Sequence, residues 1–598
     1  MTGHRLVAGS RAAGSCVGQE SRCSWAATTR NRSAPTMPPG GYALRSNTHI
    51  NFYQCLVMER YRHMNVQERL RQAIDQQQSC LGASVPPDRQ AAILALIRIL
   101  DRLPRSSESE LPPDLVTGRR LANLGGNRAL QLCVESTGDE ATAVPASFGE
   151  GPDGWAERFL EECHGLAEAE LVLAHCGTGF MRMVDDSNGT FDAWIATKRP
   201  PTSWRERADI AWWASWLAKR HEPELRALRS ERPRMDSNNP GDDALNRRLA
   251  DLHLEMMAYQ LGYPPDAQIG GCTVQTYRDI LGQLIGWAFQ ARNAGEMATP
   301  RSERALIAAL ASALVVDPAV IGQAVAAFTL DRENAAYHAA VPGVAVAPLV
   351  RIDPSRIVWS VHGLTTEPLF FLTRELKRRA TPEYHNTAHL RELVFRKDLY
   401  ALFQDKRFVT SAGRIALRRE TGDVRTDIDA VVFDRKTGTL GFFELKSQDP
   451  FARSTGELTR QRDNVLHANR QVSGILAWVQ RHGADALLAR VDDRAARTFR
   501  AQKVYPFVLG RYLVHFDDGP EPDRRAAWGT WPQVLRLLDA QPLRPNDANP
   551  LASLFTRLAK DAPIVHLPAD ASSRAIELGD VLLTVHPSFA AFRASQAR

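Results

Sequence analysis

Thr426-Asp427-Ile428-Asp429-Ala430-Val431-Val432-Phe433 is followed by Asp434-Arg435-Lys436-Thr437-Gly438 and then by Leu440-Gly441-Phe442-Phe443-Glu444-Leu445-Lys446. Two β-prone runs on either side of a short polar stretch that ends in glycine predict a hairpin. Side chains alternate faces along a strand. Asp427, Asp429, Val431 and Phe433 therefore share one side of the first run, and Leu440, Phe442, Glu444 and Lys446 share one side of the second. Ile428, Ala430, Val432, Phe443 and Leu445 occupy the opposite faces. Strands that are apolar on both sides belong in the middle of a covered sheet, so Asp429, Glu444 and Lys446 are expected to converge inside the protein.

Burying two carboxylates and an ammonium is costly unless they pair with one another or hold an ion. Hard oxygen donors suit a divalent cation that keeps room for water and a phosphate oxygen. A lysine beside them places a point charge near a scissile phosphate and can orient or deprotonate the attacking water.

An aspartate on one strand and Glu-x-Lys on the next, here Asp429 with Glu444-Leu445-Lys446, resembles the PD-(D/E)XK (restriction-endonuclease-like) nuclease superfamily. The resemblance covers residues 385–516, and Ile428-Asp429 stands where the family has Pro-Asp, a change that keeps the ligand. It implies an α/β nuclease core, a mixed central sheet flanked by helices. It further implies that Asp429 and Glu444 bind Mg2+, for which Mn2+ can substitute, with the Leu445 carbonyl as a further ligand and Lys446 serving the nucleophilic water. Family members often add an acid from the preceding helix, for which Glu392 is the candidate. They often add a glutamine from the following helix, for which Gln471 is the first choice and Gln461 the second. The flanks carry the expected order. A helical spacing covers His389 to Phe403, a first strand is expected around Arg414 to Arg418, a long helix over Gly456 to His482, and a strand within Val504 to Phe516.

The expected function is a metal-dependent nuclease that hydrolyses phosphodiester bonds of nucleic acid, DNA first, in defence against foreign DNA or in repair. The alternative is a catalytically inactive module of the same fold that binds nucleic acid or scaffolds a partner. Residues 385–516 hold 23 Lys plus Arg against 15 Asp plus Glu, whereas the whole chain is only +6. Positive charge is thus concentrated around the proposed site, as phosphate attraction requires. A rival metal chemistry is weaker. Glu383 to His389 resembles a Tyr-His-Asn-x-x-His segment of HD-type phosphodiesterases, but the His-Asp dipeptide which that chemistry needs is missing from the chain.

With 598 residues, 44% of them hydrophobic, the chain can build several cores. Residues 62–340 are expected to be mostly helical, with helix-length periodicity over Asp88–Leu103, Trp155–Cys176, Ser203–Arg229, Asp243–Leu261, Thr273–Arg292 and Ser302–Phe328. That region offers a surface for self-association or for a partner protein. Residues 341–384 read as a connecting segment, strand-like over Val341–Ser360 and helical over Pro368–Arg379. Residues 517–598 form a mixed tail with helices at Trp531–Leu538 and Asn549–Lys560. The most apolar stretch, Ala305 to Val316, is too short to cross a bilayer. Residues 1–61 read as an extension: the first 48 hold six arginines, no lysine and a single acid, Glu20. That composition resembles a transit peptide and, in the preferred reading, translated upstream sequence with the start at Met37, Met58 or Met64. Eight scattered cysteines with no Cys-x-x-Cys pair are expected in a reducing compartment, the cytoplasm.

Overall fold

The computed structural model describes residues 47–103, 121–135, 151–196, 202–231, 240–341, 345–418, 424–449, 455–514, 522–561 and 573–588, apart from 178, 180, 187, 188, 297 and 545, together with 591, 593 and 595. The expectation for the N-terminal extension falls mainly on residues 1–46, outside the described residues. The chain divides into two compact units, residues 1–58 and 59–598. Of the first, only helical backbone from Asn47 is described.

In the second unit the hairpin is central to a five-stranded mixed sheet. Its spatial order is Ala527–Thr530, Lys503–Gly510, Thr439–Lys446, Ala430–Asp434 and Phe408–Thr410. Thr439–Lys446 runs antiparallel to Ala430–Asp434 and parallel to Lys503–Gly510. The register sets Val431 opposite Phe442 and Phe433 opposite Leu440. These four residues form one face of the sheet, buried with Val465, Ala468, Val472 and Ile475 of helix Thr455–His482. Ala430, Val432, Phe443 and Leu445 form the other face. They pack with Phe395 and Leu399 of helix Ala388–Ala401 and with Leu551, Leu554 and Leu558 of helix Pro550–Lys560. The alternation in the sequence thus becomes a helix–sheet–helix sandwich.

The turn is fixed by one acid and one glycine. Both carboxylate oxygens of the fully buried Asp434 accept from Arg407, at 2.6 Å each, and the same carboxylate takes the Thr437 hydroxyl and the Lys436 amide. Gly438 has φ +64° and donates to the Asp434 carbonyl. A Cβ there would lie 2.6 Å from the Arg500 carbonyl oxygen, so any other residue would be strained and crowded.

The structure departs from the sequence expectation in three places near the site. The run from Thr426 to Phe433 is two strands, not one: Val424–Ile428 leaves the sheet and pairs with Ile415–Arg418, and a bend at Asp429 separates it from Ala430–Asp434. The short strand Phe408–Thr410, not the segment Arg414–Arg418, borders Ala430–Asp434 in the sheet. The sheet also extends past residue 516, because Ala527–Thr530 adds a parallel edge strand.

Elsewhere the helices of residues 62–340 form largely as expected, with two differences. Ser302–Phe328 is two helices, Glu303–Leu314 and Pro318–Ala327, bent by 117° at Asp317-Pro318. Asp317 caps the second helix through the Ala319 amide, and proline fits its first turn. Strands Met181–Asp185 and Thr190–Ile195 interrupt the helical region and pair with each other, and Thr190–Ile195 pairs in parallel with Val581–His586 from far along the chain. Among the described residues no single helix is long and apolar enough to cross a membrane.

Candidate active site

Asp429 sits where the first strand of the hairpin breaks, and its side chain explains the break. Its Oδ2 accepts the Leu445 amide at 2.8 Å, taking the place of the main-chain carbonyl that a continuing strand would supply. The backbone before Asp429 is then free to turn away without leaving that amide orphaned. The N–H and C=O of one strand residue point to the same side, so the Leu445 carbonyl faces the edge that Asp429 vacates. The Leu445 side chain lies buried on the other face of the sheet.

Glu444 is buried at the same end of the sheet, 1% exposed, and its Oε1 accepts from Lys446 Nζ at 2.6 Å. Lys446 also donates to Gln471 Oε1 at 3.0 Å, and Gln471 Nε2 lies 3.5 Å from Asp427 Oδ1. Gln471 therefore holds the ammonium in place from the long helix. Arg414 enters from the hairpin edge. Its Nε is 3.0 Å from Asp429 Oδ1, its Nη1 is 3.5 Å from Asp427 Oδ2, and its Nη2 donates to Glu392 Oε2.

The structure thus brings together Asp429, Glu444, Lys446 and Gln471, with Glu392 joined to them through Arg414. It does not bring Gln461 into this cluster: the Gln461 amide donates to the Asp449 carbonyl at 2.9 Å, on the loop that follows Lys446. Two residues of the cluster lie outside the sequence-derived site. Asp427 shares the face of Asp429 in the alternation, which was a usable signal. Arg414 counted only as part of the general positive charge, because nothing local marks an arginine that points at acids from other segments.

Burial pushes the Glu444 carboxyl up to about 8, and the charge of Asp429 adds to that shift while Lys446 opposes it. Glu392 is raised by burial and then by Asp429. Arg414 is raised because Glu392, Asp429 and Asp427 together outweigh its own desolvation. The pocket therefore holds more negative charge than its two cations neutralise.

This excess has a measurable consequence for stability. Glu444 holds its proton in the folded protein after an unfolded glutamate, near 4.5, has released it, so its contribution is complete below pH 4.5 and is lost as pH rises through about 8. In chelator, wild type should lose stability relative to Glu444→Gln across that window, with a slope approaching about 1.4 kcal/mol per pH unit. Urea midpoints of the two proteins at matched pH values check this. Parallel pH profiles would refute it.

The donor set fits a hard divalent cation. Asp429 and Glu444 supply carboxylate oxygens, the Leu445 carbonyl faces the same edge, and Glu444 Oε2 is buried with no hydrogen-bond partner. Among the described residues no three His, Cys, Asp or Glu side chains are grouped closely enough to hold a metal ion unaided, so the main-chain carbonyl and solvent would have to complete the coordination shell.

Other sequence candidates fall outside this cluster. His389 Nδ1 lies 2.8 Å from the Asn386 carbonyl, and Tyr384 donates at 2.5 Å to Asp449 on the loop that follows Lys446, so neither side chain joins this cluster. Compared with family models, curated proteins and solved structures, the chain matches none.

Proposed function

We propose that this chain is a metal-dependent phosphodiester hydrolase acting on nucleic acid, DNA first, with Asp429, Glu444 and Lys446 as its catalytic group. The observation that carries the reading is the buried, partnerless Glu444 Oε2 beside Asp429, with Lys446 held between Glu444 and Gln471. Asp429 and Glu444, with the Leu445 carbonyl, would hold Mg2+ or Mn2+. When bound, such an ion polarises the phosphoryl oxygen and acidifies a water molecule. Lys446, fixed by Gln471, would orient that water toward the phosphorus and offset charge as it develops. Gln471 acts through Lys446 and is a positioning residue. The positive charge of residues 385–516 supports a polyanionic substrate.

The test is direct. The purified chain is incubated with plasmid, linear duplex, single-stranded DNA and RNA, each with Mg2+, Mn2+ or chelator. Cleavage that needs a metal and fails in chelator supports the reading. Absence of cleavage on every substrate sinks it. Affinity for the preferred nucleic acid should fall linearly in a log–log plot against salt, by about 0.9 per phosphate neutralised for duplex DNA. A salt-independent affinity would remove the phosphate-contact argument.

A second reading has one observation in its favour. Arg414 already neutralises part of the acidic cluster, as in a fold that has exchanged metal chemistry for plain binding of nucleic acid. Such a module would retain salt-dependent affinity, cut nothing and take up no divalent ion.

A further inference from the structure

Four carboxylates, from Glu392, Asp427, Asp429 and Glu444, surround one guanidinium. Arg414 uses all three of its nitrogens on them: Nε to Asp429, Nη1 to Asp427 and Nη2 to Glu392. The acids come from separate places, namely helix Ala388–Ala401, strand Val424–Ile428 and the bend at Asp429. Glu444 makes no bond to Arg414, yet its charge acts on that guanidinium. Its Oε2, 1% exposed at the residue level, is left without a partner in the same cluster. A single planar group thus does for three acids what a bound cation would do, and leaves the fourth unserved.

The two cations of the cluster differ in mobility. Lys446 has a side chain 16% exposed and is tied to both Glu444 and Gln471. Arg414 has a side chain 47% exposed and lies at the edge of a two-stranded hairpin. It can swing into solvent without leaving a buried charge of its own, but Asp429, whose side chain is 4% exposed, then needs another cation beside it. Four acids face only two cations, so a divalent ion that took the place of Arg414 would bring one positive charge more than the group it replaces.

Resting on the nuclease reading above, we propose that Arg414 is a displaceable counter-ion, which holds the carboxylates in position in the metal-free protein and is released toward solvent when a divalent cation takes over that role. Arg414 then competes with the metal for Asp429, and it sets the concentration of divalent ion at which the site becomes loaded.

The full chain is titrated with Mn2+ by calorimetry as wild type, Arg414→Gln, Arg414→Lys and Asp429→Asn. The Arg414→Gln protein should bind Mn2+ about tenfold more tightly than wild type. Arg414→Lys, which keeps the charge but cannot reach three acids at once, should lie between them, and Asp429→Asn should lose binding. Equal or weaker binding by Arg414→Gln would overturn the proposal while leaving the nuclease reading intact. No Mn2+ uptake by any of the four, together with no cleavage, would overturn both. Wild type alone supplies a second readout should the variants not fold. Phenylglyoxal modification of Arg414, followed by peptide mass spectrometry, should increase on adding Mn2+, and unchanged or reduced labelling would count against release.

Discussion

Asp429→Ala and Lys446→Ala should each reduce metal-dependent cleavage by roughly 10³-fold or more, the scale seen when a directly acting charge is removed from a preorganised site. Nucleic-acid affinity should change far less, because the positive surface of residues 385–516 remains. The two variants should differ in how they fail. Lys446→Ala leaves the proposed ligands in place, so Mn2+ binding should survive without turnover. Asp429→Ala removes a ligand and should lose both. Cleavage persisting in either variant would remove the catalytic assignment, and equal Mn2+ binding by wild type and Asp429→Ala would remove the ligand assignment.

The largest stability effect is expected a few residues further on. Asp449 accepts from Arg391 at 2.7 Å, from Lys377 at 3.0 Å and from the Tyr384 hydroxyl at 2.5 Å. Arg391 in turn lies over the rings of Tyr263 and Tyr384. The side chains of Asp449, Arg391 and Lys377 are 15%, 12% and 18% exposed, so none has full access to water. Burial alone would raise the Asp449 carboxyl, but Arg391 and Lys377 override it and hold it at about 2. Asp449→Ala removes the carboxylate that Arg391, Lys377 and the Tyr384 hydroxyl share and should destabilise the protein by about 3–5 kcal/mol. The wild-type contribution of this acid is present above its unfolded value of 3.8 and is lost as pH falls through about 2. Urea unfolding at pH 7 measures the loss in the variant. A change below 1 kcal/mol would show that the network contributes little.

That network also positions the site. The loop carrying Asp449 follows Lys446 directly, and its partners lie on helices Pro368–Arg379, Thr381–Asn386 and Ala388–Ala401. Glu457, at the start of the long helix, accepts from Arg374 and Lys377 of the first of these. The strand bearing Glu444 and Lys446 and the helix bearing Gln471 are therefore both anchored to residues N-terminal of the hairpin.

What could be read in the sequence near the site was what alternation and local turn chemistry encode. Val431 and Phe433 meet Phe442 and Leu440 on one face, Phe443 and Leu445 lie on the other, and Gly438 turns the chain between them. The long helix follows from its periodicity and delivers Gln471 to Lys446. The break at Asp429 was hidden, because a side chain that stands in for a main-chain acceptor leaves the apolar pattern on both sides undisturbed. Phe408–Thr410, at three residues, is too short to show any period. The pairing of Thr190–Ile195 with Val581–His586, sealed by a 2.7 Å contact between His586 and Asp192, joins segments 394 residues apart in sequence and has no local signature. Asp449 carries no local mark in the sequence because its partners lie 58 to 72 residues away.

The contact from the Leu445 amide to Asp429 makes this aspartate a tailor of the sheet as well as a candidate metal donor. Those duties divide by substitution. Asparagine retains an acceptor oxygen and can keep the fork between the diverging strands while losing the charge, whereas alanine loses both. A comparison of the two variants by amide exchange at Leu445 and by Mn2+ titration would therefore separate architecture from chemistry at a single position.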